Sequence, residues 1–95
     1  MDLVGVWEVD SADIEALARL GQVVIEFQAD GDMIYAVIAG PLIQTVDLTY
    51  VIDGDELVMR QVPETEGGRV RFTISADGVL TLFYETLTAH FVREQ

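Results

Sequence analysis

The sequence predicts an all-β protein, an up-and-down antiparallel β-barrel of eight strands with one short helix between strands 1 and 2. Apolar and polar residues alternate along most of the chain, as they do on half-buried strands. Asp-Gly pairs separate several of the alternating stretches and favour tight hairpins. No stretch offers the long crossover connection that a parallel sheet needs. A sandwich or a curved open sheet would show similar alternation, so closure depends on the chain ends.

The first and last predicted strands, residues 3–9 and 87–93, provide the argument for closure. Alternation places Gly5 and Trp7 on one face of the first strand, because successive side chains point to opposite sides. Arg93 lies in phase with the apolar face of the last strand. If the two strands pair, Arg93 lies across the Trp7 ring in a cation–π contact and plugs one end of the barrel.

A short helix is predicted over residues 11–20, directly after the first strand. Asp10 or Ser11 can serve as its N-cap, and Gly21 follows in the position of a C-terminal cap. The predicted apolar stripe consists of Ile14, Leu17 and Ala18. A helix of this length is unstable alone, so it must lie on another surface, such as an open end of the barrel.

The intermediate strands follow from the alternation and from the turn signals between them. Turns are predicted at three Asp-Gly pairs and at Gly40-Pro41, and the longest polar loop at residues 63–68. The predicted strands are residues 22–28, 33–39, 42–52, 56–62, 69–75 and 79–84.

Length and charge restrict the possible partners. Ninety-five residues form a single domain, residues 1–95, with one core. Seventeen acidic residues oppose five basic ones, all arginine, for a net charge of −12, so nucleic acid and anionic membranes are repelled. No apolar run is long enough to cross a membrane, and no basic-then-apolar leader is present, so a cytoplasmic protein is expected.

These features resemble the lipocalin-like, or calycin, superfamily of small binding barrels. The matching residues are Gly5-Val6-Trp7 in the first strand and Arg93 in the last, where that superfamily often packs a basic residue on the tryptophan. The helix after the first strand is more like the fatty-acid-binding branch and small bacterial lipocalin-like domains. The chain is shorter than typical members, which implies a small cavity. The Arg-x-Tyr pair that holds a carboxylate in fatty-acid binders is absent from the last strand, so fatty-acid specificity is not implied.

The leading hypothesis for function is a non-catalytic barrel that binds a small apolar or amphipathic molecule. Three tyrosines lie in phase with apolar neighbours and can present hydroxyl groups from an apolar wall. A packed core tyrosine whose hydroxyl reaches the barrel mouth is the alternative for each. The predicted ligand-binding residues are Phe27, Tyr35, Tyr50, Met59, Phe72 and Tyr84. The wider predicted lining adds Val23, Ile25, Met33, Val37 and Leu82.

Two other classes of function remain open. One is a small isomerase or cyclase that shapes a hydrophobic substrate with a tyrosine as the acid, which requires a pocket residue with a strongly perturbed pKa. The other is a solid barrel whose outer surface binds a protein, which requires a filled interior.

No cofactor or metal is predicted. The chain has no cysteine and no histidine pair, and its Asp-Gly-Asp turns lack the further ligands of a calcium loop. Its single histidine, His90, alternates with Ala89 and Phe91 and therefore points away from the interior. A haem ligand or a catalytic base would need the opposite face.

The outer face of the third strand is unusually apolar. If Tyr35 faces inward, then Ile34, Ala36 and Ile38 face outward beside Val24. The outer face of an antiparallel barrel strand is expected to be polar, so either the helix or another subunit must cover this stripe. A homodimer through the outer face of strands 2–3 is therefore expected.

Overall fold

The computed structural model describes residues 3–61 and 67–93. Within these ranges the chain forms eight strands and one helix. The helix is α1 (Ile14–Leu20), and the strands are β1 (Gly5–Val9), β2 (Gln22–Phe27), β3 (Asp32–Ala39), β4 (Leu42–Asp53), β5 (Glu56–Gln61), β6 (Gly67–Ile74), β7 (Val79–Phe83) and β8 (Thr88–Arg93). The predicted end of the fifth strand at Val62 and most of the predicted polar loop lie outside the described residues.

The eight strands form a closed antiparallel barrel in which each strand pairs with the next and β8 pairs with β1. The predicted fold class is confirmed, and the sandwich and the open sheet are excluded. The closing register places Trp7 opposite Arg93 and Val9 opposite Phe91. The chain ends therefore meet as the apolar phase of the two strands indicated.

The hairpins follow from local turn chemistry. The three Asp-Gly turns contain Gly31, Gly54 and Gly78, whose φ angles are 94°, 62° and 87°. Residues with a Cβ rarely adopt such angles, so glycine allows the chain to reverse within two or three residues. Between β3 and β4, Gly40 and Pro41 separate the paired residues Ala39 and Leu42.

The helix begins later than predicted, and its apolar stripe is different. Asp10 accepts a hydrogen bond from the Ala12 N–H at 3.0 Å and forms a turn, while Asp13 is the N-cap and accepts from the Ala16 N–H at 3.1 Å. The predicted N-caps, Asp10 and Ser11, were therefore wrong. Gly21 is the C-cap, as predicted.

The helix packs through Leu17, which the predicted stripe included, and through Ala16 and Leu20, which it omitted. Ile14 is 77% exposed, whereas Ala16 is fully buried and Leu17 and Leu20 pack against the core. The helix lies chiefly on β8, and a turn in which the Asp13 N–H donates to the Asp10 carbonyl precedes it. No helix in the described ranges has the length and apolar character needed to span a membrane.

The core is densest where the chain ends meet. All eleven residues predicted to line the interior belong to the core or pack against it. Of the fifteen buried hydrophobic residues in the described ranges, only Met33, Leu57 and Val70 lie on β3–β6. The others, Trp7 among them, lie on β1, β2, β7, β8, the helix and their flanks, so the barrel has a packed side and a looser side.

Candidate functional site

The packed side is closed by a contact between Trp7 and Arg93. The guanidinium carbon of Arg93 lies 4.3 Å from the centre of the Trp7 ring, and Arg93 Nη1 donates to the Val4 carbonyl at 2.8 Å. Trp7 is fully buried, and its indole Nε1–H donates to the Leu3 carbonyl at 2.9 Å. The predicted cation–π contact is present, and the buried indole has the hydrogen-bond partner that such a group requires.

Gly5 makes this contact possible. A Cβ atom added at Gly5 would lie 2.5 Å from Nη1 of Arg93, and the φ angle of Gly5 is 134°. Any side chain at this position would displace the guanidinium and strain the backbone. The glycine, the tryptophan and the arginine therefore act together as the structural closure.

The looser side contains the candidate site, a cavity of about 310 Å³. Its wall is apolar apart from two tyrosine hydroxyls, and the described residues that line it carry no charged side chain. Val46, which is 37% exposed, lies where the cavity meets the surface. The lining residues are Ile25, Met33, Tyr35, Val46, Leu48, Leu57, Met59, Gly68, Leu82 and Tyr84.

Three of the six predicted ligand-binding residues, Tyr35, Met59 and Tyr84, lie in this wall. The other three are placed elsewhere. Phe27 is buried beneath the Tyr50 ring, in an edge-to-face contact with ring centres 5.0 Å apart. Tyr50 donates its hydroxyl proton to the Gln28 carbonyl at 2.8 Å. Phe72 packs against the core beside Leu82.

The cavity wall contains four residues that were not predicted. Val46, Leu48 and Leu57 face inward, in phase with Tyr50 and Met59 along the same strands, so alternation alone could have found them. Gly68 lines the cavity because it has no side chain to fill the space opposite Met59.

Tyr35 and Tyr84 both line the cavity, and their side chains interact with each other. Burial raises the pKa of Tyr35, although its interaction with Tyr84 opposes this shift. Burial also raises the pKa of Tyr84 strongly, and its interactions with Tyr35 add to the shift. Both hydroxyls are therefore neutral at physiological pH, and the pair is a polar group that neither gains nor loses a proton there.

Tyr84 also borders a second cleft, of about 390 Å³, between the end of the helix and the β7–β8 connection. Arg19 lies in this cleft and donates to the Thr86 carbonyl at 2.7 Å. The single tyrosine thus separates an apolar interior from a more polar surface cleft.

Asp13 and His90 form an ionisable pair that joins the helix to β8. The carboxylate of Asp13 accepts from the backbone N–H of His90 and lies 2.9 Å from its Nδ1. Burial would raise the pKa of Asp13, but the bonds from His90 and Ala16 outweigh it and lower that pKa. His90 faces outward, as predicted, with its side chain 46% exposed. Over residues 3–61 and 67–93, no group of three or more potential metal ligands is found.

The apolar outer stripe is only partly covered. Val24, Ile34, Ala36 and Ile38 are half-buried, and Ile43, which pairs with Ile38, is 63% exposed. The helix lies chiefly on β8 and not on this face.

Comparison of the chain with models of protein families, with curated proteins and with solved structures finds no match.

Proposed function

We propose that the protein is a non-catalytic, lipocalin-like barrel that binds a small apolar or amphipathic molecule in the cavity lined by Tyr35 and Tyr84. The observation that carries this proposal is the cavity itself, an apolar space of about 310 Å³ with one pair of hydroxyl groups in its wall. Binding sites for small molecules combine mainly apolar walls with a few placed polar groups. The closed barrel and the Trp7–Arg93 contact support the lipocalin-like assignment.

The volume favours a compact ligand. A water molecule occupies about 30 Å³ of liquid, so the cavity has room for on the order of ten to fifteen non-hydrogen atoms. A ligand of that size removes apolar wall from water, and each Å² so buried contributes about 25 cal/mol. A long-chain lipid would extend past Val46 into solvent.

Binding is favoured over catalysis by the direction of the tyrosine pKa shifts. A general acid or base works best with a pKa near the operating pH. The pKa of Tyr84 is raised, which makes its hydroxyl a weaker acid. The described lining residues include no histidine or carboxylate that could act as a partner.

The proposal is tested by filling the cavity from its mouth. Val46→Trp places an indole over the opening without disturbing a buried residue. Met33 and Met59 line the cavity, so the resonances of their methyl groups should shift as acetophenone, a compact neutral ketone, is titrated. We expect saturable shifts in the wild type and none in Val46→Trp.

Val51→Trp is the matched control, because Val51 is an exposed valine on the same strand whose side chain lies outside the cavity. This variant should bind as the wild type does. If the wild type shows no saturable shift with any neutral compound of this size, the proposal is wrong.

We propose, in addition, that two copies associate through the outer face of β2 and β3. The apolar end of this face, around Ile38 and Ile43, supports the proposal, whereas Glu26 and Asp47 flank Ile34 at the other end and would repel a second copy. Light scattering should show a dimer for the wild type and a folded monomer for Ile38→Glu. A monomeric wild type at high concentration contradicts the idea.

A further inference from the structure

The charge distribution around the cavity determines whether the ligand can be charged, an inference that rests on the proposed function. The described lining residues offer neither a cation for a carboxylate nor an anion for an amine. Burying an unpaired charge in an apolar site is costly, and the net charge of −12 also repels anions. The ligand that fits this wall is therefore uncharged.

The tyrosine pair determines which polar group the ligand carries. The two hydroxyls possess two protons, and a bond between them can use only one. At least one proton therefore remains to be donated. Within the cavity the other side chains are apolar, so the partner for that proton must come from water or from a ligand.

We propose that the Tyr35–Tyr84 hydroxyl pair is the recognition element of the cavity and donates one hydrogen bond to the carbonyl or ether oxygen of a compact, neutral ligand. Among the described residues these two tyrosines are the only lining residues with a polar side chain, so the donor to the ligand is one of their hydroxyls. A hydrogen bond is electrostatically stronger in an apolar site than in water.

Three probes of similar shape test the proposal: acetophenone carries a neutral acceptor oxygen, ethylbenzene lacks it, and benzoate carries a charge. Their dissociation constants are measured from the Met33 and Met59 methyl resonances. A purely apolar cavity would bind ethylbenzene at least as tightly as acetophenone. The hydroxyl pair should instead favour acetophenone, by about two- to tenfold for one net hydrogen bond.

The decisive variant is Tyr35→Phe/Tyr84→Phe. Both substitutions keep the aromatic ring and remove only a hydroxyl group, so this protein should remain folded. It should lose the preference for acetophenone while its affinity for ethylbenzene stays unchanged or rises. The single variants identify the hydroxyl that faces the ligand, since its removal alone weakens acetophenone binding. Thr81→Val, which removes a hydroxyl from the outward-facing position beside Leu82, should change neither affinity.

The outcomes separate this inference from the proposed function. If ethylbenzene binds but the double variant retains the preference for acetophenone, the recognition role is wrong and the binding cavity stands. If benzoate binds as tightly as acetophenone, the inference that the ligand is uncharged is wrong. If no probe binds the wild type, both the inference and the proposed function fail.

Discussion

The two sides of the barrel differ in how they use the same alternating pattern. On β1, Trp7 is fully buried, Val9 is nearly so, and the strand pairs with β8. On β4, twelve residues long, none is buried, and the inward-facing Val46 and Ile52 are 37% and 51% exposed. Both strands alternate, but one faces a filled core and the other faces a cavity.

The difference comes from what lies opposite each strand. The Trp7 ring fills its side of the interior, and the helix adds Ala16 to the same cluster. On the other side of the interior, the wall next to β4 contains the flexible side chain of Met59 on β5, and a glycine, Gly68 on β6, pairs with Met59. Dense packing gives the fold its stability, while the unfilled side leaves space for a ligand.

Emptying the packed side should have the largest effect. Trp7→Ala should lower the free energy of unfolding by about 3–5 kcal/mol, the usual range for removing a large aromatic side chain from a core. Met59→Ala, on the cavity wall, should lower it by only about 1 kcal/mol, less than for a fully buried methionine. Urea denaturation measures both. Equal losses would mean that the two sides are packed alike.

Breaking the contact between the helix and β8 should have the second largest effect on stability. Asp13→Ala removes the N-cap and the acceptor for two His90 donors, so we expect a loss of about 2–3 kcal/mol. Because the pKa of Asp13 is lowered in the folded protein, its contribution is present above the ordinary pKa of about 4 and is lost as the pH falls through the lowered value.

Asp13→Asn keeps a capping oxygen but not the charge, and it is the control for this pH dependence. The stability difference between wild type and Asp13→Asn should shrink below about pH 4. A difference that stays constant on acidification would show that the carboxylate charge does not contribute.

Substitution of Gly5, where the barrel closes, should have the third largest effect on stability. Gly5→Ala forces a Cβ against Arg93 and an unfavourable φ angle, so we expect a loss of about 2 kcal/mol. Arg93→Ala alone should cost about 1 kcal/mol, the scale of an exposed cation–π contact. In the Arg93→Ala background, Gly5→Ala should cost only about half as much, because the backbone strain remains and the steric conflict is gone. Additive losses would show that the two residues do not touch.

The tyrosine pair should have the smallest effect at neutral pH. Tyr35→Phe/Tyr84→Phe should be nearly neutral at pH 7. In the wild type the folded pKa values of both tyrosines are raised, so the unfolded chain ionises first above about pH 10 and stability falls as the pH rises toward the folded values. The double variant should show a flatter decline above about pH 10 in chemical denaturation. An identical decline would contradict the buried pair.

Much of the fold could be predicted from the sequence because its signals are local. Alternation places the strands, Asp-Gly pairs place turns, and Arg93 in an apolar phase indicates closure on Trp7. The helix start could not be predicted, because the choice of Asp13 over Asp10 depends on His90, which is 77 residues away. The position of the cavity could not be predicted either. Alternation shows that Phe27, Tyr50 and Tyr84 face inward, but it does not show which of them pack against other side chains and which line a cavity.

The central claim, that one side of the barrel is solid and the other holds a ligand-sized apolar cavity, is tested most directly by xenon, which enters apolar cavities. Under xenon pressure the Met33 and Met59 methyl resonances should shift and saturate, while the indole N–H resonance of Trp7 should stay in place. Methionine resonances that do not respond, or a Trp7 resonance that shifts as much as they do, would contradict the account.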